Sequence, residues 1–391
     1  MSSRPRRTVY LDYNATAPLR PEVFKAMRPA LTGEFGNPSS VHLLGQRARR
    51  AVEESRADVA RLLGTSPGEI VFTSSGSEAD AMAVRGAALQ AFEASKGEKR
   101  TVISSPIEHE AVLGALEMLD RRGFAVKFLP VGSDGVVEAG ALPALLDDST
   151  ALVTVMHANN EVGAVQPVRD LAARCRERGV LFHTDAVQSA GKIPVDAREI
   201  GADLISISGH KLGAPKGIGA LFVRRGVRLV PLIAGAQEKN RRGGTENVPG
   251  IVGLGAACRL AAPELSDVSR YRPLRDRLIR GALRIPGSRL SGRLEGTLSH
   301  MAHFCFEGVS GPELVAALDL EGLAVSSGPA CSSGSPEPSH VLLAMGVPAE
   351  LARGALRVSM GFGTKASDVE RFLKVLPGAV EALRRLPQAA L

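Results

Sequence analysis

Seven short runs of β-branched and aliphatic residues punctuate the first two-thirds of the chain: IVF from Ile70, TVISS from Thr101, AVKFL from Ala125, ALVTVM from Ala151, VLFHTD from Val180, DLISIS from Asp203 and GALFV from Gly219. Between several of them apolar residues return every three or four positions, over residues 78–93, 110–122 and 168–178. Runs of strand length parted by helical periodicity predict a mostly parallel sheet covered by helices on both faces. A ligand of such a sheet belongs outside the carboxyl ends of its strands, where the following loops converge.

The pattern changes after the glycine-rich stretch at 241–255. An Arg- and Leu-rich segment, 263–283, predicts one helix, and strand-like HFCFEGV, LAVSSG and LRVSMGF then alternate with shorter helices up to a final helix at 365–386. This texture predicts a second, smaller α+β domain. The boundary is placed near residue 260, giving a large domain of 16–260 and a small domain of 1–15 with 261–391.

Composition narrows the class. At 391 residues, 44% hydrophobic and 23% charged, the chain is of ordinary soluble globular type and can bury a sizeable core. No run approaches the roughly 18 uninterrupted apolar residues of a bilayer span, and MSSRPRR leads into VYLDYNATAPL without a signal-peptide core, so a cytoplasmic protein without a membrane partner is expected. The four cysteines are far apart and form no CxxC pair, which predicts neither a disulfide framework nor a metal site. The net charge of +7 comes from scattered arginine with only 4% aromatic residues, a pattern that suits an acidic protein or anionic metabolites rather than nucleic acid.

The candidate chemistry sits after the strands. Lys211, in SISGHKLGAPKGIGALFV, follows a strand and is enclosed by glycines; an isolated lysine is usually a surface residue, but a desolvated one can form a Schiff base with an aldehyde cofactor. Asp185, in VLFHTDAVQS, ends another strand and is followed by Gln188; a helix cap is the plain reading, yet such a carboxylate also suits the pyridine nitrogen of pyridoxal phosphate. In TSSGSEADAMAV, Gly76 and Ser77 open a helix whose free amides can hold a phosphate. His109 and Asn160 also fall just past strands. Finally, SSGPACSSGSPEPSHV at 326–341 surrounds Cys331 with small and turn-forming residues, a setting for a reactive thiol or for a free cysteine in a tolerant loop rather than for a packed one.

These segments, together with YLDYNATAP, FGNPSSVH, GGTENVPG and LRVSMG, resemble the cysteine desulfurases of the class V aminotransferase superfamily, in the NifS/IscS-like branch, over nearly the whole chain. The resemblance implies a fold type I pyridoxal-phosphate-dependent transferase, with a mostly parallel seven-stranded sheet in its large domain. It implies that Lys211 binds the cofactor aldehyde, that His109 stacks on its ring and assists proton transfer, and that Asp185 pairs with the ring nitrogen. Asn160 and Gln188 would flank the substrate and the phenolic oxygen, while Gly76, Ser77, Ser208 and His210 would hold the phosphate with Thr245 from the other subunit of a homodimer. Arg357 would grip the carboxylate of L-cysteine. Cys331 would take the substrate sulfur as a persulfide, leave L-alanine, and pass the sulfur to an acceptor such as an iron-sulfur scaffold protein.

The chain departs from the family pattern in four places. Pro329 stands where serine is usual, AGAQEKN at 234–240 replaces a GGGxE motif, Gly361, Phe362 and Gly363 replace a motif with a second arginine, and the tail lacks a longer docking extension. An aminotransferase would have no use for Cys331. A selenocysteine lyase or another enzyme of the same fold is the nearest alternative, and a non-catalytic partner subunit of a sulfur pathway would be expected to have lost Lys211 or Asp185.

Overall fold

The computed structural model describes residues 8–328 and 337–385. Each of the seven apolar runs forms a strand of one sheet: β2 (Ile70–Thr73), β3 (Thr101–Ser104), β4 (Ala125–Phe128), β5 (Thr150–Thr154), β6 (Leu181–Asp185), β7 (Leu204–Ser208) and β8 (Gly219–Val223), after a short β1 (Val9–Tyr10). The order across the sheet is β2-β8-β7-β6-β5-β3-β4. β8 runs antiparallel to both neighbours and every other pair is parallel. Five of the seven strands are buried along their whole length, because helices cover both faces and leave no face for polar alternation. Helix Gly76–Ala94 covers one face with Met82, Ala83 and Ala87, and helices Leu43–Leu62 and Val248–Glu264 cover the other with Val52, Val59, Ile251 and Leu254.

A second layer pair is built from a three-stranded sheet, β9 (Ser288–Leu290), β10 (Met301–Phe306) and β12 (Ala355–Ser359), in the order β12-β10-β9. Helices Arg272–Ala282, Gly311–Leu320 and Ala366–Arg384 pack on one face through Leu278, Leu314 and Phe372, against Phe304, Phe306, Leu356 and Val358. Strand alternation turns Arg357 and Ser359 to the opposite face. β1 pairs in parallel with β11 (Leu323–Ala324), so Val9 and Leu11 join this core despite their distance in sequence.

The single helix expected at 263–283 is two. Helix Val248–Glu264 ends just past Pro263, a turn follows, and Pro273 sits in the first turn of helix Arg272–Ala282, where its missing amide costs nothing. Val248–Asp267 is also long and apolar enough to cross a membrane by length and composition, although charged residues interrupt its apolar run. Here Ile251, Leu254, Ala257, Cys258 and Ala261 bury it in the large core.

Two of the departures from the family pattern have local explanations. In AGAQEKN, Glu238, Lys239 and Asn240 all have positive φ (49°, 59° and 63°), and the turn is held by the buried Glu238 carboxylate, which receives Arg56 Nη1 and Nη2 at 2.7 and 2.9 Å. A two-pronged ion pair of this kind offsets the cost of the strained backbone. At Gly361 a Cβ would lie 2.0 Å from Tyr13 Cδ1, and the Tyr13 hydroxyl accepts the Gly363 amide at 3.2 Å. The ring of Tyr13 therefore fills the space that a side chain at 361 would need.

Candidate active site

The carboxyl ends of β5, β6 and β7, the amino end of helix Gly76–Ala94 and the first turn after β1 converge on one place. Lys211 closes the short helical turn Gly209–Lys211 after β7, and its Nζ donates to the main-chain carbonyls of Asn14 and Ala15, the latter at 3.0 Å. Asp185 is the last residue of β6 and is buried; its Oδ1 accepts the Val187 amide at 2.8 Å. Burial raises the Asp185 carboxyl above its ordinary value, opposed by the nearby His109 and Lys211. A cationic ring nitrogen beside it would remove that penalty, since an opposite charge favours the ionised form.

His109 caps helix Glu110–Asp120, its Nδ1 accepting the Ala111 amide at 3.1 Å, which leaves Nε2 as the protonated nitrogen of the neutral ring. Burial pushes its pKa down, with Asp185 acting the other way and Lys211 adding to the fall. Gly76 begins its helix directly against Ser208 and Val187. A Cβ at Gly76 would meet Val187 Cγ2 at 2.8 Å and Ser208 Cβ at 3.0 Å, so only glycine lets the helix start so close to the end of β7. The first amides of that helix, at Gly76 and Ser77, have no intrahelical acceptor. His210, next to Lys211 in the same turn, meets Thr16 Oγ1 through Nδ1 at 3.1 Å.

Asn160 and Arg357 meet from different sheets: Arg357 Nη1 donates to the Asn160 carbonyl at 3.1 Å and Nη2 to Asp12 Oδ1 at 2.9 Å. Asn160 Oδ1 and Arg357 Nε are both buried without a hydrogen-bond partner among the described residues. Buried polar atoms left so are costly unless a ligand satisfies them. Gln188 is buried and donates through Nε2 to the Asn14 carbonyl at 2.9 Å. Thr245 stands apart: it is exposed on the loop before helix Val248–Glu264 and forms no hydrogen bond with the other candidate residues among the described ones. Cys331 and Pro329 lie outside the described residues.

Two further side chains at this place are not among the sequence candidates. Asn14, buried in the turn after β1, is the common partner of the site: besides its carbonyl, its Nδ2 donates to the Asn160 carbonyl at 3.1 Å and its Oδ1 meets His300 Nε2 at 2.8 Å. Lys192 donates to Gln188 Oε1 at 3.2 Å, and burial beside Lys211 and Arg357 lowers its ammonium to about 7. Both sit in quoted or neighbouring motifs, YLDYNATAP and HTDAVQSAGK, but only tertiary contacts reveal their partners.

The cradle at Gly76, the strand-end carboxylate, the amine of Lys211 and the unpartnered Asn160 and Arg357 atoms fit a phosphorylated pyridine aldehyde carrying an amino acid. The sequence profile described as "Aminotransferase class-V" matches residues 9–372. The chain is 45% identical over 384 residues to the cysteine desulfurase IscS of Dictyoglomus turgidum, covering 97% of this chain and 96% of that protein. Among solved structures it resembles a NifS-like protein with a TM-score of 0.88 at 38% identity, covering 97% and 100% of the two chains. It also resembles SspA, solved in complex with cysteine, with a TM-score of 0.80 at 36% identity over 90% of this chain and 99% of that one. The chain belongs to the class-V aminotransferase family and, within it, to the pyridoxal-phosphate-dependent cysteine desulfurases.

Proposed function

We propose that the protein converts L-cysteine to L-alanine and moves the substrate sulfur to Cys331 as a persulfide. The observation that carries this reading is the meeting of Lys211, Asp185, His109 and the paired Asn160 and Arg357 at one end of the sheet. When bound, pyridoxal phosphate supplies an electron sink that weakens the bonds around the substrate Cα.

In this reading Gly76, Ser77, Ser208 and His210 hold the phosphate, Asp185 pairs with the ring nitrogen, and Gln188 and Asn160 orient the phenolic oxygen and the substrate. Arg357 binds the substrate carboxylate through its planar guanidinium, a two-pronged donor that an ammonium cannot imitate. Lys211 removes the Cα proton, its amine directed by the carbonyls of Asn14 and Ala15, and His109 assists proton transfer through Nε2. The Cys331 thiolate then forms an S–S bond to the substrate sulfur as the substrate C–S bond breaks, and the bonding pair remains with the carbon fragment that becomes alanine after proton uptake.

Burial argues against the other thiols in that role. Cys175, Cys258 and Cys305 are all buried, and burial pushes Cys175 up to about 12 and raises the other two. A thiol held so far above neutrality supplies almost no thiolate.

The proposal extends to assembly and setting. A homodimer in which Thr245 completes the partner's phosphate site is supported by the exposure of Thr245 and by the apolar stretch at 19–43, where Phe24, Leu31, Phe35, Val41 and Leu43 are all exposed. Domains of 16–260 and of 1–15 with 261–391 are supported by the separate cores of the two sheets. A cytoplasmic location and a protein sulfur acceptor, such as an iron-sulfur scaffold, complete the reading. The test is an assay of alanine and sulfide from L-cysteine, repeated with candidate acceptor proteins; no alanine from the cofactor-loaded enzyme would refute it.

A further inference from the structure

Glu161 follows the Asn159–Asn160 pair on the loop after β5 and is buried. Its backbone is fixed first: Asn159 Oδ1 accepts the amides of Glu161 and Val162, both at 2.9 Å, and Asn159 Nδ2 donates to the Ile107 carbonyl at 3.0 Å. Its Oε2 then accepts the Ser339 hydroxyl at 2.5 Å. Ser339 in turn caps helix His340–Ala344, accepting the amides of Val341 and Leu342 at 3.2 and 3.3 Å. The same carboxylate oxygen lies against Gly328, where an added Cβ would stand 3.3 Å from it at a φ of +130°.

One oxygen atom thus abuts the last described residue before Cys331 and binds a residue two positions after the described chain resumes at 337. Both ends are also tied to the active site. Ser326 and Arg357 exchange main-chain hydrogen bonds of 3.2 and 2.7 Å, and His340 Nε2 meets the Glu108 carbonyl at 3.0 Å. Burying a carboxylate is unfavourable, and Oε1 has no hydrogen-bond partner among the described residues, so stability alone gives little reason for a glutamate here. Burial raises the carboxyl, while Ser339, His340 and Arg357 favour its ionised form and Glu110 opposes it.

We infer that Glu161 is a positioning residue for the thiol step at Cys331, holding Ser339 and abutting Gly328 so that the described residues on either side of Cys331, 326–328 and 337–340, keep a fixed spacing. The inference rests on Cys331 as the sulfur acceptor. It assigns to Glu161 the thiol step alone, not cofactor binding.

The experiment uses the full chain loaded with pyridoxal phosphate and compares Glu161→Ala, Glu161→Gln and Ser339→Ala with wild type. Two quantities are measured: the kcat and KM for L-cysteine, and the rate at which iodoacetamide alkylates Cys331 without substrate, read by peptide mass spectrometry. For Glu161→Ala the expected kcat falls about tenfold or more, while KM and the cofactor absorbance stay within about twofold. The Cys331 alkylation rate changes by about threefold or more in Glu161→Ala and Ser339→Ala. Glu161→Gln, whose amide oxygen still accepts the Ser339 hydroxyl, stays near wild type. Wild-type kcat and alkylation in Glu161→Ala would overturn the inference, as would equal losses in Ala and Gln variants with a disturbed cofactor spectrum. If wild type releases no alanine, the desulfurase reading fails, and the alkylation comparison alone then decides the inference.

Discussion

The guanidinium of Arg357 is bound at 2.9 Å by the carboxylate of Asp12, a residue 345 positions away that arrives with the turn after β1. A buried arginine that already holds one carboxylate through Nη2, with Nε left unpartnered among the described residues, is preorganised for the carboxylate of an amino acid. Arg357→Lys keeps the charge and loses the planar fork. The expected result is a rise in KM for L-cysteine of roughly 10- to 100-fold, from the loss of about 1.5–3 kcal/mol of charged hydrogen bonding, with the cofactor absorbance retained. Steady-state kinetics checks it; an unchanged KM would remove Arg357 from the substrate site.

Lys211 gives a sharper expectation. Its Nζ is steered by two carbonyls into the space shared by Asp185 and His109, and no other lysine follows β7 so closely. Lys211→Ala should bind pyridoxal phosphate only non-covalently, losing it on dialysis and after borohydride treatment, and should release no alanine. Turnover near wild type in this variant would refute the assignment.

Stability should respond to pH through Glu108, whose carboxyl is pushed up to about 8 by burial although Ser105 and the Met156 amide bond its Oε1. Below about 4.5 both folded and unfolded chains carry this proton; between there and about 8 only the folded chain does. Unfolding then releases a proton, and this group makes stability fall as pH rises through that window. Buried His183 and His157, lowered to about 3 and about 4, act in the opposite sense: only the unfolded chain binds their protons below about 6.5, so they make stability fall as pH drops. Glu108→Gln should therefore flatten the decline in Tm between about pH 6.5 and 8, where the histidines contribute little, and leave the acid limb in place. Thermal unfolding across that range is the check.

Subunit mixing tests the role of Thr245. Thr245→Ala should weaken cofactor binding, and Lys211→Ala should abolish turnover. Refolding the two variants together should restore one complete site per mixed dimer, with Lys211 from one subunit and Thr245 from the other. Mixtures no more active than the sum of the separate variants would show that Thr245 serves its own subunit or none.

The large sheet is readable in the sequence because five of its seven strands are buried along their whole length, which makes each a short, uninterrupted apolar run such as LVTV or LISIS. The loop residues at its carboxyl edge are readable for the same reason: once the strand ends are known, Asp185, Lys211 and Asn160 fall at them. Residues 263–283 mislead because apolar spacing continues through a real break, and only the turn before Arg272 and Pro273 marks it. Asn14 and Glu161 are of another kind. Asn14 acts through partners 146 to 345 residues away, and Glu161 through Ser339, 178 residues on, so no local periodicity records either contact.

The central claim is that sulfur leaves L-cysteine for Cys331. Its most direct measurement is peptide mass spectrometry of the cofactor-loaded protein after a brief exposure to L-cysteine, with alanine quantified in the same sample. The account predicts one added sulfur atom on the peptide containing Cys331, in step with alanine, and neither signal transferred to another cysteine in Cys331→Ser, which keeps the cofactor absorbance. Added sulfur on Cys175, Cys258 or Cys305, or alanine formed at the wild-type rate by Cys331→Ser, would contradict it.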